Sequence, residues 1–224
     1  MAGKKIRSVV WAICVGLAVV SGFSRTGGVS RTFADDVIDR LMAIVVSQPI
    51  LLSDVNAAMA FQLVQPPPGS ADPVAGVLDR LIDRTLILAE VERYQPPEPA
   101  PQEIDARFTW IERRAGTPAA LDQALSATGM TRDGLRQFIR DDLRIVTYLN
   151  QRFGVAAQPS DDEVLAYYRE HPEEFSIAGA LQPFQTVAET IRARLVQARR
   201  TTLIADWLAT LRRRADVTVL YVRK

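Results

Sequence analysis

The sequence predicts a mostly α-helical protein in which one small β-sheet joins the two ends of the chain. Apolar residues recur every three or four positions from Pro183 to Ala215, as on one face of a long helix. The next segment, Asp216 to Val222, is β-branched and almost entirely apolar, as strands are. The other good strand candidates lie near the start, at Leu41–Val46 and Ile50–Leu52. Because a strand needs a hydrogen-bonded partner, we expect the two ends to pair.

Residues 1–34 are predicted to form a secretory signal peptide. An apolar run from Val9 to Val20 follows a basic start, and it is too short for a typical membrane-spanning helix. Two cleavage positions stay open, after Ala34 and after Gly22, and the alternative is an uncleaved anchor. In that alternative the membrane is contacted through this segment alone. The basic residues of the start are Lys4, Lys5 and Arg7.

Charge and cysteine content limit the classes of partner and of stabilising bond. The full chain has 27 basic and 26 acidic residues, and residues 1–34 hold five of the basic and none of the acidic ones. The remaining chain of about 190 residues therefore has a net charge of about −4, which argues against a nucleic-acid partner. The single cysteine, Cys14, lies in the signal segment, so the exported chain has no disulfide and depends on an apolar core.

The N-terminal part reads as strand, turn, strand and then two helices. The first helix is predicted from an N-cap at Ser53 to about Val64, and the second begins with the cap-and-proline pair Asp72-Pro73. Four prolines between Gln95 and Pro101 predict a stiff, extended linker. We therefore predict a core formed by residues 35–95 and 176–224, and a helical lobe formed by residues 96–175.

Residues that favour helix starts and helix ends divide the predicted lobe into helices. Gly116 and Gly129 are suited to helix ends, and Thr117 and Thr131 are suited to N-caps. Ser160 opens a capping box before a helix that Pro172 closes near Phe175. Only Ser176–Gln182 then separates this helix from the long final helix. The three helices before Ser160 are predicted at Pro101–Ala115, Pro118–Thr128 and Arg132–Phe153.

The residues available for chemistry argue against an enzyme. His171 is the only histidine, it lies beside Pro172 among charged residues, and a structural or solvent-exposed role is expected for it. The sequence has no glycine-rich phosphate loop and no Cys/His metal spacing. We therefore predict no catalytic residues, no metal and no cofactor.

Three stretches of the chain follow one another in an order that is typical of a known family. Asp39–Val55, a strand–turn–strand–helix pattern, and Val77–Tyr94, a helix, resemble the opening elements of SurA-type periplasmic chaperones. Pro159–Phe175 is similar to the helix that leads into the family's parvulin isomerase domain, and the final helix and strand also fit. The resemblance implies a chaperone body that cradles unfolded outer-membrane or secreted chains without ATP, in the periplasm.

The chain departs from the family where the isomerase domain is expected. Ser176–Gln182 stands in place of roughly one hundred residues, and Ser47-Gln48 replaces the asparagine expected at the first turn. The resemblance therefore implies a chaperone body without isomerase activity. Two alternatives stay open, namely a relative of the peptidyl-prolyl cis-trans isomerases and an assembly partner in the cell envelope.

Unfolded or extended polypeptides are the expected partners, bound through apolar and aromatic side chains. Each candidate also fits a place in the core, because apolar residues of helices usually pack inward. The candidates for client binding are Met59, Phe61, Phe108, Trp110, Tyr167 and Tyr168.

Overall fold

The first and last described segments of the chain meet in a three-stranded antiparallel sheet, which confirms the predicted pairing. The computed structural model describes residues 39–177 and 179–222, so the predicted signal segment lies outside the described residues. The strands are β1 (Leu41–Val45), β2 (Gln48–Leu51) and β5 (Val217–Val219). Their order is β2-β1-β5, so the last strand of the chain pairs with the first.

A tight turn joins β1 to β2. Its two residues, Val46 and Ser47, have φ angles of 49° and 66°. Positive φ at both positions is the geometry of the two-residue turns that match the twist of a hairpin. A β-branched residue is rarely found there, so the pairing of the flanking strands holds Val46 in place. Its N–H also donates to the carbonyl of Asp216 at 2.9 Å, which ties the turn to the chain just before β5.

Seven helices make up most of the described residues, so the predicted mostly α fold class is confirmed. Three of them, α3 to α5, begin and end where the sequence predicts, with Thr117 and Thr131 as N-caps. The helices are α1 (Leu52–Ala60), α2 (Pro73–Tyr94), α3 (Pro101–Ala115), α4 (Pro118–Thr128), α5 (Arg132–Phe153), α6 (Asp161–Glu170) and α7 (Phe184–Arg214). None of the described helices is both long enough and apolar enough to cross a membrane.

The predicted start of α1 is wrong by two residues. The helix begins at Leu52, and the carboxylate of Asp54 accepts a hydrogen bond from the N–H of Leu51 at 2.8 Å. Ser53 does not cap the helix, because its hydroxyl and its N–H both donate to Asp39, fourteen residues earlier. The side chain of Ser53, which the local pattern assigns to the helix cap, is therefore engaged by Asp39 instead.

The segment that connects α6 to α7 is a small hairpin. A 3-10 turn at Pro172–Phe175 follows α6, and the predicted continuation of the helix to Phe175 is therefore wrong. Strands β3 (Ser176–Ile177) and β4 (Ala180–Leu181) then pair antiparallel. Gly179 lies in the turn with φ +82°, a conformation that side chains disfavour.

Four apolar clusters hold the described elements together. The first joins the sheet to α1 and α2, and the second joins α1 to α3, α4 and α5. The third lies between α2, α5 and α7, and the fourth lies between α6, the 3-10 turn and the first half of α7. The division into a core and a 96–175 lobe stays a prediction. The largest fully buried side chains are Met42, Leu78, Ile82, Leu121, Leu135 and Ile191.

The 31-residue α7 is roughly 45 Å long and contacts both the third and the fourth cluster. Arginines along it pair with acidic residues of α2, of α6 and of the 3-10 turn. The pairs are Arg192–Asp161 (2.6 Å), Arg199–Glu163 (2.7 Å), Arg212–Asp83 (2.6 Å) and Arg194–Glu174.

Candidate functional site

Three cavities share Phe138 as a lining residue, and we call them together the Phe138 groove. Their volumes are about 370, 170 and 210 Å³, and Phe138 lines all three. The groove lies between α5 on one side and β2, α1, α2 and α3 on the other. Its apolar lining residues are Pro49, Ile50, Ala57, Ala58, Phe61, Leu63, Leu81, Trp110, Ile111, Met130, Phe138, Ile139, Leu143 and Val146.

The end of α1 shapes one wall of the groove. Phe61 ends the helix, and Gln62 follows with a φ of 51°, which turns the chain sharply. The N–H of Leu63 then donates to the carbonyl of Ala58 at 2.9 Å, so the turn is closed by a backbone hydrogen bond. This turn places Phe61 and Leu63 against α3 and α5 at the groove.

Trp110 gives the groove a large exposed aromatic surface. Its side chain is 46% exposed, and Val146 across the groove on α5 is 45% exposed. The guanidinium groups of Arg107 and Arg114 lie 4.9 and 4.7 Å from the Trp110 ring centre. Such contacts hold the ring in place while they leave part of it open to an apolar ligand. An indole presented in this way is a common anchor in protein recognition.

Charged groups also line the groove, since Arg84, Asp141 and Asp142 each border one of its cavities. The guanidinium of Arg84 stacks on Phe138 at 3.8 Å from the ring centre and donates to the Phe138 carbonyl at 2.9 Å. Burial lowers the pKa of Arg84, and the nearby carboxylates of Asp142 and Asp141 oppose that shift. Burial raises the pKa of both aspartates, against the charge of Arg84. The ring contact and the hydrogen bond of Arg84 fix the position of Phe138 between α2 and α5.

The structure brings two of the six sequence candidates together, since Phe61 and Trp110 both line the Phe138 groove. Phe108 is only 4% exposed and packs in the second cluster, where Arg136 stacks on its ring at 4.4 Å. Phe61 is 7% exposed, so it supports the groove wall more than it offers surface.

The remaining candidates lie elsewhere. Met59 is partly buried on the first cluster and borders a separate concavity lined by residues 64–70. Tyr167 and Tyr168 are half-buried in the fourth cluster, where the Tyr168 hydroxyl donates to the Gln182 carbonyl at 2.6 Å. Client binding by the six residues stays a prediction.

Sequence reasoning did not select Phe138, Leu63 or Val146 as contact residues. Phe138 and Val146 belong to the apolar stripe of α5, which alone indicates a core position. The available signal was the width of that stripe, because a stripe that serves a core and a groove is wider than a core alone requires. Which part of the α5 stripe stays exposed depends on where α1 ends, and the turn at Gln62 sets that position.

His171 lies in a group of three residues with metal-ligand atoms, outside the groove. Its Nδ1 is 3.7 Å from a Glu173 oxygen and 4.0 Å from a Glu174 oxygen. Glu174 is also paired with Arg194 and lies 3.3 Å from the hydroxyl of Tyr167. The arginine already supplies a positive charge to this carboxylate, so the contacts are those of a surface ion-pair network.

The chain has the fold of SurA-like chaperones. A solved structure, described as one of two structurally related SurA-like chaperones of Campylobacter jejuni (the virulence factor PEB4 and the periplasmic protein Cj1289), superposes with a TM-score of 0.51. The match covers 82% of this chain and 100% of the other, at 12% sequence identity. The predicted SurA-like helical body with its small joining sheet is therefore confirmed as a fold.

Sequence comparison gives shorter matches. NifM of Azotobacter chroococcum is 34% identical over 79 residues, and NifM of Azotobacter vinelandii is 30% identical over 77 residues. Both names assign the proteins to the peptidyl-prolyl cis-trans isomerases. The matches cover 35% and 34% of this chain but only 27% and 26% of the relatives, about a quarter of their length. No protein-family model matches the chain.

Proposed function

We propose that the protein is an ATP-independent periplasmic chaperone that binds unfolded outer-membrane or secreted polypeptides and does not isomerise prolines. The observation that carries the proposal is the Phe138 groove, an open apolar groove with an exposed tryptophan on a SurA-like fold. Periplasmic localisation rests on the export-signal pattern of residues 1–34 and on the description of the similar structure.

Binding in the groove is driven by burial of apolar surface. Each square ångström removed from water contributes about 25 cal/mol, and ordering of a flexible client offsets much of that gain. We therefore expect micromolar affinity, on the order of −8 kcal/mol. The lining has three aspartates (Asp54, Asp141 and Asp142) and two arginines (Arg84 and Arg107), so their charges nearly cancel and moderate salt should change the affinity little. Weak, salt-insensitive binding suits a protein that must release its clients without ATP.

The absence of isomerase activity rests on the connection between α6 and α7. The predicted isomerase position holds only Ser176–Gln182, which is the β3–β4 hairpin with exposed Ile177 and Leu181. A hairpin of this size does not enclose a proline substrate. The two NifM matches favour the alternative of an isomerase relative, and an assembly partner in the envelope is the third possibility.

A paired assay separates these functions. Aggregation of an unfolded outer-membrane protein is followed by light scattering with and without the purified protein, and cis–trans isomerisation of a proline peptide is followed in the same preparation. Suppressed aggregation with a background isomerisation rate supports the proposal. Catalysed isomerisation contradicts it in favour of the isomerase relative, and no effect in either assay favours the assembly partner.

The first prediction tests the groove itself. Trp110→Ala removes the exposed indole and should weaken binding of an unfolded client five- to tenfold, about 1 kcal/mol. Tyr94→Ala is the matched control, because Tyr94 is 58% exposed at the end of α2, outside the groove. Fluorescence anisotropy of a labelled client measures both. Equal loss in the two variants, or no loss with Trp110→Ala, would place client binding elsewhere.

A further inference from the structure

We propose that the free edge of β5 is a second binding site, which takes an extended segment of an unfolded polypeptide by strand addition. The inference rests on the proposed chaperone function and adds a backbone-directed contact to the side-chain contacts of the Phe138 groove. In strand addition the bound segment pairs with main-chain groups of a sheet edge, so many different sequences are accepted.

Hydrogen bonds fix which way the backbone of β5 faces. The carbonyl of Asp216 accepts from the N–H of Val46 at 2.9 Å, just before the strand begins. Just after the strand, the N–H of Leu220 donates to the carbonyl of Met42 at 2.9 Å. Both residues therefore turn their main-chain groups toward β1.

The residues between Asp216 and Leu220 alternate in the direction of their main-chain groups. Main-chain orientation repeats every second residue in a strand, so Thr218 also faces β1 while Val217 and Val219 face away. β5 is the last strand of the sheet, and the described residues give the N–H and C=O groups of Val217 and Val219 no backbone partner. Four main-chain groups are thus presented at the edge, enough for two pairs of antiparallel hydrogen bonds.

The strand at this edge is short, but it has neither a charged side chain nor a proline to protect it. Proteins guard such edges with charged side chains or proline, and the opposite edge strand β2 contains Pro49. β5 contains only Val-Thr-Val. Apolar side chains at and beyond it are exposed: Val219 by 51%, Leu220 by 45% and Val222 by 76%. An extended apolar segment would gain both main-chain bonds and apolar contact here.

The size of the edge favours a client over a second copy of this chain. A stable dimer buries at least about 1,200 Å² in total, and a pair of three-residue strands with a few exposed side chains falls well short of that. An unfolded polypeptide, in contrast, can also contact the protein outside the β5 edge. β2, which contributes Pro49 and Ile50 to the Phe138 groove, lies two strand spacings from β5, about 10 Å. One polypeptide can therefore contact both sites, and each contact raises the effective concentration for the other.

The test compares two probe peptides on the unmodified protein. One is a fluorescein-labelled ten-residue peptide of alternating Val and Thr, and the other is the same peptide with every amide nitrogen methylated, which removes the donors of both edges. Binding is measured by anisotropy. We expect the methylated peptide to bind at least tenfold more weakly. Equal affinities would overturn strand addition while leaving the proposed function intact, whereas failure of both peptides together with no suppression of aggregation would contradict the proposed function itself.

Variants at one position supply the matched control. Val219→Pro removes an outward N–H without removing a bond to β1, and proline favours the extended conformation of the preceding residue. Val219→Ala shortens the side chain but keeps the N–H. Because the N–H of Val219 would donate to a carbonyl of the peptide, we expect Val219→Pro to weaken binding of the unmethylated peptide severalfold, and Val219→Ala to keep most of its affinity. Unchanged affinity of the unmethylated peptide for folded Val219→Pro overturns the proposal. If circular dichroism shows that this variant does not fold, the comparison on the unmodified protein decides.

Light scattering of the protein alone tests the competing occupant. We expect a monomer at micromolar concentration for the unmodified protein and for Val219→Pro. A dimer that Val219→Pro dissociates would overturn the proposal in favour of pairing between two β5 strands.

Discussion

At the scale of single residues, the pairing of charged side chains in the lining of the Phe138 groove was not predictable from the sequence. Arg84 and Asp142 stand on different helices, and each fits an ordinary solvent-exposed face when read alone. The packing of α2 against α5 encloses them, so that burial lowers the pKa of Arg84 and raises that of Asp142. Their interaction depends on the crossing of two helices, which no local pattern encodes.

This arrangement has a defined consequence for the pH dependence of stability. Burial raises the pKa of Asp142 above the ordinary value of 3.8, which applies in the unfolded chain. The folded protein therefore keeps the carboxyl proton of Asp142 at pH values where the unfolded chain has released it. The folded state binds more protons in that window, so the free energy of unfolding falls as pH rises through it. Above the window the ionised carboxylate remains a cost, which Arg84 reduces in part.

Asp142→Asn should therefore raise the melting temperature at pH 7 by roughly 2 °C and flatten its pH dependence above pH 4. Asp141, whose pKa is also raised by burial, keeps part of the dependence. Melting is followed by circular dichroism from pH 3.5 to 7.5. Asp206→Asn is the control, because Asp206 is exposed on α7. A lower melting temperature for Asp142→Asn at pH 7 would mean that the charge of Asp142 is needed to balance Arg84.

At the scale of elements, local signals decided which boundaries could be predicted. α3, α4 and α5 match the prediction because proline, threonine caps and glycine stops act within one helical turn. The prediction failed at Ser53, because its hydroxyl donates a hydrogen bond to the distant Asp39. It also failed at Ser176–Leu181, because two strands of two residues are too short to give an alternating pattern. A contact with a residue that is distant in the sequence leaves no pattern in the local sequence.

The capping box of α6 gives a test at this scale. Ser160 accepts from the N–H of Glu163 at 3.2 Å, and Glu163 accepts from the N–H of Ser160 at 2.7 Å and from Arg199 of α7 at 2.7 Å. Ser160→Ala should cost about 1 kcal/mol and increase hydrogen exchange in residues 161–170. Ser160→Asn keeps an acceptor and should retain most of the stability. Urea unfolding and hydrogen exchange measure both, and equal losses would show that the cap hydrogen bond is not the cause.

At the scale of the whole molecule, the sequence was sufficient for the topology but not for the groove. One apolar strand at the end and two near the start leave few ways to satisfy backbone hydrogen bonds, so the joining of the ends was predictable. The Phe138 groove needs the relative positions of α1, α2, α3 and α5, and Phe138 carries no mark that separates it from core residues. Periodicity identifies which face of a helix is apolar, but the fold decides how much of that face stays open.

Because the sheet joins the ends, removal of the last strand should destabilise the N-terminal part as well. Truncation after Ala215 deletes β5 and its bonds to β1, and it uncovers Met42 and Val45, which are fully buried. With a net contribution of about 1 kcal/mol for each hydrogen bond and further loss of apolar burial, we expect about 3–5 kcal/mol, a large part of a typical total. Hydrogen exchange in β1 and β2 should rise with that in α7. An unchanged cooperative melt of the truncated protein would show that the two ends fold independently.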